Sequence, residues 1–318
     1  MADAILVSDW VHEHYGRELS QRAPGRPLVV VSDAGCTGDP AEAAICFFSG
    51  DLFPERAPHF LRQMIRAKGL AWFHSFSAGV DNPFFQGLLE RGIRLTTSAG
   101  AHAVPIAQTV MLYLLALSRD LPSWLAAQNE HRWAPRDLVD LQGQQLVVVG
   151  MGPIGLEVAR LGLALGMRVV GLRRTPRGDE PCETRSLSAL DALLPECDAL
   201  VLAVPLAPET RHLIDAARLA KLPPRAVLVN VARGEIIDED ALVAALEAGR
   251  LAGAGLDVFR EEPLPKASPL WNLPQVIVTP HSSGTTPANW DRAAQIFLDN
   301  LGRFERGEAL RNEVSPAG

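Results

Sequence analysis

Cysteine is scarce and scattered. The four that occur, Cys36, Cys46, Cys182 and Cys197, form no CxxC pair and no zinc-like grouping with histidine. That excludes a CxxC redox or zinc pattern and fits a reducing cytoplasmic compartment; no metal site is expected. The start, MADAILVSDW, lacks the basic residues and long apolar core of a signal peptide. No stretch approaches the roughly 20 consecutive apolar residues that span a bilayer, so no membrane role is expected. Excess positive charge is also missing. The formal net charge of -7 speaks against a general nucleic-acid partner. There is no repeat, low-complexity tail or disorder-like bias. What is present is 318 residues, 47% of them hydrophobic, enough for one large core or two ordinary ones, and the length favours two domains.

Short apolar runs separated by turn formers fill the first hundred residues. Segments 28–31, 44–48, 71–73 and 93–96 read as strands, with 60–68 and 83–91 as helices between them, a pattern that implies a parallel α/β layer. VPIAQTVMLYLLAL, 104–117, reads as a helix apolar on most sides, buried between layers or domains. Pro122 is expected to end that run before an aromatic-spotted stretch at 124–133. From Leu146 onward, strands at 146–150, 168–172, 199–203, 226–231, 254–258 and 276–279 alternate with helices at 156–165, 188–194, 215–219 and 239–248. Fully apolar strands interleaved with helices suit a sheet covered on both faces. A last helix, 287–306, can pack back on the first domain. The expected fold is α/β, with two doubly wound parallel-sheet (Rossmann-like) domains. Residues 104–287 would form the dinucleotide-binding domain, and 1–103 plus 288–318 the catalytic, substrate-binding one.

The turn after the first strand of the second domain reads Gly150, Met151, Gly152, Pro153, Ile154, Gly155. This is GxGxxG between a strand and a helix. The first glycine permits the tight turn, the second lets backbone approach a pyrophosphate, and the third lets helix and strand pack closely. The helix N-terminus adds N–H donors and the positive end of its dipole. A lone GxGxxG is weak; here the flanking strand, helix and second strand are all present, which is the confirming context.

An acid that pairs with the ribose hydroxyls of NAD is expected about 20 residues past such a turn. Counting on from Gly155 lands on Arg173. An acid would repel a 2′-phosphate, whereas a guanidinium attracts it, often through two hydrogen bonds. Arg173, Arg174 and Thr175 therefore read as a pocket for NADP(H), with NAD(H) use possible. The bland alternative is a solvated basic loop that ignores the cofactor.

Three later segments each follow an apolar strand: NVARGEIID (230–238), GLDVFREEPLP (255–265) and TPHSSG (279–284). Ligands of open α/β sheets sit outside the carboxyl ends of the strands, so Arg233, Glu262 and His281 can converge there. Each suits the reduction of a 2-keto acid. A protonated His281 can donate to the carbonyl oxygen. Glu262 beside it favours the imidazolium and raises its pKa. Arg233 can bind the substrate carboxylate and polarise the ketone. Taken singly, each has an ordinary explanation: an ion-pair arginine, a turn histidine, a solvated acidic loop. Together, behind a dinucleotide turn, they form a candidate site.

On these segments, with SFSAGVD (75–81) and VPLAPETRHLI (204–214), the chain resembles the D-2-hydroxyacid dehydrogenases over nearly its whole length. Order and spacing match as well. The resemblance implies catalytic roles for Arg233, Glu262 and His281, and an active-site cleft between the two domains. It implies that Ala78, Gly79 and Val80 offer backbone N–H groups to the substrate carboxylate. It implies that Asp257 contacts the nicotinamide carboxamide, and that Thr109, Val204, Pro205, Thr210, Val231 and Gly284 line the cofactor. It also implies a homodimer, with 124–133 in a dimer arm. Gln108 stands where relatives often carry Glu, which puts a side-chain contact there in doubt. Glu262 disfavours a formate dehydrogenase, which carries Gln at that place. Arg173 and the compact length look unlike phosphoglycerate dehydrogenases and more like the NADPH-dependent glyoxylate/hydroxypyruvate reductases.

His74, before SFSAGV, reads as a satisfied buried histidine more than a cleft residue. His12 and His14 flank Glu13 but have no third ligand, so a solvated helix face is expected. Phe47–Phe53 can touch the substrate's C3 side or be core plus turn. Trp124 and Trp133 suit a subunit interface. The function expected is hydride transfer between NADP(H) and a small 2-keto acid. Two alternatives stand: an NADH-dependent enzyme for a larger 2-keto acid, and a non-catalytic dinucleotide-sensing protein on the same fold.

Overall fold

A computed structural model describes residues 3–80 and 82–314. Asp81, the last residue of SFSAGVD, lies outside the described residues. The chain divides into two compact units, Met1–His102 with Thr285–Gly318, and Ala103–Gly284.

Among the described residues of the first unit, β1 (Ala4–Ser8), β2 (Leu28–Ser32), β3 (Gly35–Thr37), β4 (Ala43–Phe48), β5 (Trp72–Ser75) and β6 (Arg94–Thr97) form one sheet in the order β3-β2-β1-β4-β5-β6. All neighbours pair in parallel except β2 and β3, which are antiparallel. The sheet is thus not wholly parallel as expected: it carries one short antiparallel edge. AILVS is a fully buried strand near the sheet's middle, an element not among the expected strands. Ser8 ends it and caps the next helix, its hydroxyl accepting from the Val11 N–H at 3.1 Å. Such a cap satisfies one of the N–H groups that a helix start leaves without a partner. The C-terminal helix Ala288–Glu305 packs on the helix Asp9–Arg22 within this unit. Its Phe297 ring stacks on Phe47 with centroids 4.6 Å apart.

In the second unit, β7 (Gln145–Val149), β8 (Arg168–Arg173), β9 (Glu183–Ser186), β10 (Ala199–Leu202), β11 (Val227–Asn230), β12 (Gly253–Leu256) and β13 (Val276–Val278) form a sheet in the order β13-β12-β11-β10-β7-β8-β9. Every pairing is parallel. β7, β10, β11 and β12 are buried along their whole length, which is why they read as unbroken apolar runs rather than alternating ones. β9, ETRS, is a polar edge strand without that signal. The apolar helix Ala103–Ser118 lies against β11, β12 and the helix Pro153–Ala164. Pro122 does not close it. The helix already ends at Ser118, and Pro122 sits at the start of a further helix, Leu121–Asn129, where its missing N–H costs nothing. No helix among the described residues is long and apolar enough to cross a membrane.

The chain reverses its direction of growth between β7 and β10, which lie side by side. Such a switch point opens a crevice at the carboxyl ends of the strands. The glycine turn leaves β7 there, and Ala203–Val204 leave β10 beside it.

Candidate active site

Gly150 has φ +104°, and a Cβ placed on it would lie 2.5 Å from the Ala203 carbonyl oxygen, so only glycine fits the turn. Gly152 is different: a Cβ there would meet no protein atom within 4 Å. The space in front of it is open, as the close approach of a pyrophosphate to backbone requires. It opens on a cavity of about 780 Å³ lined by Gly150, Met151, Gly152, Arg173, Arg174, Thr175, Val204, Pro205 and Thr210 among others. Pro153 and Ile154 open the helix, and Gly155 is buried against the Gly150 carbonyl. These residues fit a dinucleotide: bare backbone at a helix start, a roomy apolar wall, and cations at the far end.

Both arginines at the end of β8 have acid partners that the sequence reading did not find. Arg173 Nη1 lies 2.8 Å from Glu180 Oε1, with side-chain exposures of 18% and 3%. Arg174 Nη2 lies 2.6 Å from Glu209 Oε1, with exposures of 87% and 52%. The first pair is sheltered; the second is at the surface, where an ion pair contributes little. Arg177 lines the same cavity, a residue the count from Gly155 passed over.

Arg233, Glu262 and His281 line one small cavity of about 250 Å³, together with Gly234, Glu235, Phe259 and Arg260. His281 Nδ1 lies 2.7 Å from Glu262 Oε2. The other carboxylate oxygen of Glu262 accepts the Phe259 N–H at 3.0 Å, which fixes its direction. Arg233 follows β11 in a loop pinned by buried Asn230, whose amide donates to the Arg233 carbonyl at 2.9 Å and accepts the Ala232 N–H at 3.1 Å. The arrangement offers a proton carrier backed by a carboxylate, next to a guanidinium: the parts needed to protonate an oxygen and hold an anion.

Asp257 is buried beneath this site. Its carboxylate accepts the Thr279 and Ser283 hydroxyls and the N–H groups of Ser282 and Ser283. Its acceptor sites are thereby spent on the loop that carries His281. That loop needs support, because His281 has φ +50°, a left-handed conformation uncommon outside glycine. The His281 N–H donates to the Asp257 carbonyl at 2.8 Å. The helix Ala103–Ser118 braces the same loop through the Tyr113 hydroxyl, which bonds to Thr279; the Thr109 hydroxyl lies 3.1 Å from the Pro105 carbonyl of its own helix and 3.4 Å from that of Ser283. Gly284 lies in the turn that follows, Val231 is packed in the core, and Thr210 closes the loop after β10 by accepting the Ala207 N–H at 2.8 Å.

In the first unit, Ala78, Gly79 and Val80 lie in the loop after β5. The Ser77 hydroxyl donates to the Gly79 carbonyl at 3.0 Å. His74 is fully buried, with Nδ1 2.6 Å from the Thr96 hydroxyl and Nε2 3.0 Å from that of Ser98. Burial pulls its pKa down to about 3. It is a satisfied core residue. Phe47 is core, whereas Phe53 is exposed. His14 Nδ1 lies 2.8 Å from the Trp10 carbonyl oxygen. Among the described residues, no group of three or more His, Cys, Asp or Glu side chains is placed to hold a metal ion.

Fold and site together describe a dinucleotide-dependent dehydrogenase. Residues 111–283 match the family model for the D-isomer specific 2-hydroxyacid dehydrogenase, NAD binding domain. A D-3-phosphoglycerate dehydrogenase from Methanocaldococcus jannaschii is 35% identical over 74% of this chain and 46% of its own length, so the chain spans less than half of that relative. A glyoxylate/hydroxypyruvate reductase B from Pectobacterium carotovorum subsp. carotovorum is 36% identical over 76% of this chain and 78% of its own. Among solved structures, a D-isomer specific 2-hydroxyacid dehydrogenase from Xanthobacter autotrophicus Py2, in complex with NADPH and MES, superposes with a TM-score of 0.79 at 32% identity, covering 99% of each chain. The chain belongs to the D-isomer specific 2-hydroxyacid dehydrogenase family.

Proposed function

We propose that this dehydrogenase reduces a small 2-keto acid of the glyoxylate or hydroxypyruvate type, using NADPH. The observation that carries the reading is the 2.7 Å pairing of His281 with Glu262 in one cavity with Arg233. The cofactor, when bound, supplies a hydride to the keto carbon. Glu262 holds the Nδ1 edge of His281, which leaves Nε2 to carry the proton that goes to the keto oxygen. Arg233 holds negative charge on the substrate, and the neutral imidazole takes a new proton from solvent after each turnover. In the first unit, the backbone N–H groups of Ala78, Gly79 and Val80 are the proposed partners of the substrate carboxylate. Asp257 acts in this reading by fixing the His281 loop.

NADPH is supported by the cations at the end of β8 and by the cofactor in the Xanthobacter neighbour. One observation favours a second reading, NADH with a larger 2-keto acid: both arginines already have carboxylate partners. The proposed assembly is a homodimer, supported by the exposed side chains of Trp124, Leu125 and Trp133. The proposed compartment is the cytoplasm, supported by the unpaired thiols of Cys36, Cys46, Cys182 and Cys197.

The test is the fall in NADPH absorbance on adding glyoxylate or hydroxypyruvate, repeated with NADH and with longer 2-keto acids. Turnover with NADPH and the short acids is expected. Efficient turnover with NADH and a longer acid only would move the assignment to the second reading.

A further inference from the structure

A carboxylate with little side-chain exposure, that of Glu180, stands behind the arginines at the end of β8. Glu180 Oε1 accepts Arg173 Nη1 at 2.8 Å and the Arg177 N–H at 2.9 Å, and Oε2 accepts the Gly178 N–H at 2.8 Å. These bonds, the Arg177 N–H foremost, hold its pKa down to about 2, so it stays ionised at any working pH. The donors come from both ends of one loop. Arg173 closes the strand, and Arg177 and Gly178 lie beyond Pro176. A single carboxylate thus gathers residues 173–180 into a closed turn, which Gly178 permits with φ +88°.

Two consequences follow for the side chains. Arg173 is sheltered and committed to Glu180, which cancels its charge inside the loop. Arg174, Thr175 and Arg177 line the cavity holding Gly150 and Gly152; Arg173 lines it too, but its guanidinium is tied to Glu180. The partner of Arg174, Glu209, is half exposed and readily exchanged for a stronger anion. Cations drawn together before a ligand arrives repel one another. A site for a dianion therefore gains affinity from a scaffold that holds them in place beforehand.

We propose that Glu180 is the positioning residue of a site for a ribose 2′-phosphate, formed by Arg174, Thr175 and Arg177, with Arg173 serving as a strut rather than a phosphate ligand. The proposal rests on the NADPH reading above and assigns its cofactor discrimination to a residue outside the β8 end itself.

The experiment is direct binding, read by nucleotide fluorescence, of NADPH and NADH to the full chain and to Glu180→Gln and Glu180→Ala, with adenosine 2′,5′-bisphosphate as a competing probe and with kcat at saturating NADPH. Glu180→Ala is expected to raise the NADPH Kd about tenfold, equivalent to about 1.4 kcal/mol, and to leave NADH within about twofold. Glu180→Gln, which keeps an acceptor oxygen at nearly the same size and guards against misfolding, is expected to fall between. Competition by the bisphosphate should weaken in parallel, and kcat should hold. Equal weakening of both cofactors would show a merely structural loop and overturn the proposal. An unchanged NADPH Kd would overturn it, and so would a tighter one, which would show the carboxylate opposing the phosphate. If the unaltered chain bound NADPH and NADH alike, the NADPH reading itself would fail and take this proposal with it.

Discussion

Gly234 sits so close to Phe259 that a Cβ added to it would lie 1.9 Å from the Phe259 carbonyl carbon. The loop bearing Arg233 and the loop leading to Glu262 are in backbone contact because one side chain is missing. Gly234→Ala must push them apart. We expect a loss of about 1–3 kcal/mol in stability and a fall in kcat/KM larger than any change in NADPH affinity. A urea titration and steady-state kinetics check both; an alanine variant with full activity would show that the approach is not needed for catalysis.

Removing the proton carrier should be more severe. His281→Ala is expected to lower kcat by about 10²–10⁴, the usual span for a positioned acid or base, with NADPH binding kept. Glu262→Gln should lower kcat less, since the imidazole remains but its partner no longer carries charge. Normal turnover in His281→Ala would reject the assignment of the site.

Arg174→Ala should raise KM for NADPH and hardly touch NADH. Losing a charge-assisted hydrogen bond to a phosphate costs about 1.5–3 kcal/mol, or about tenfold or more in KM. The NADPH effect should shrink as salt is raised. If both cofactors suffer alike, Arg174 does not meet the 2′-phosphate.

Asp257→Asn replaces an acceptor-only group by one that presents two N–H donors to a nest of N–H and O–H donors. At least one buried donor then loses its partner, at about 1–3 kcal/mol. The expected result is a lower Tm together with a lower kcat, as the His281 loop relaxes from its left-handed conformation. A variant with a lowered Tm and an unchanged kcat would separate Asp257 from the catalytic geometry.

Acid should destabilise the protein through His74. Unfolded, its imidazole takes a proton near the ordinary value of 6.5; folded, only near about 3. Between those values the unfolded chain binds the extra proton, so stability falls as pH drops through that window and is unaffected well above it. The ceiling is on the order of 5 kcal/mol. Urea midpoints at neutral pH and near pH 4.5 should differ more for the natural chain than for His74→Gln. An equal shift in both would place the acid sensitivity elsewhere.

Much of this was legible before any fold was seen. The apolar runs of β7, β10, β11 and β12 were readable because burial on both faces leaves polar residues only at a strand end, Gln145 in β7 and Asn230 in β11. The glycine turn and the Arg233, Glu262 and His281 segments were readable because their chemistry is carried by residue type at fixed local spacing. β1 was missed because a run of four apolar residues also suits other readings, and only its pairing with β2 and β4 makes it a strand. β9 was missed because an edge strand can be polar throughout.

The sequence by itself determined the class of fold, the dinucleotide turn and the residue types of the candidate site, since each depends on periodicity or on neighbours along the chain. Tertiary structure alone decided that Arg173 is held by Glu180, that Asp257 spends its carboxylate on the loop of His281, and that Gly234 must lack a side chain. Those outcomes depend on where separate loops come to rest and which donors a buried carboxylate meets there, and no local pattern encodes that meeting.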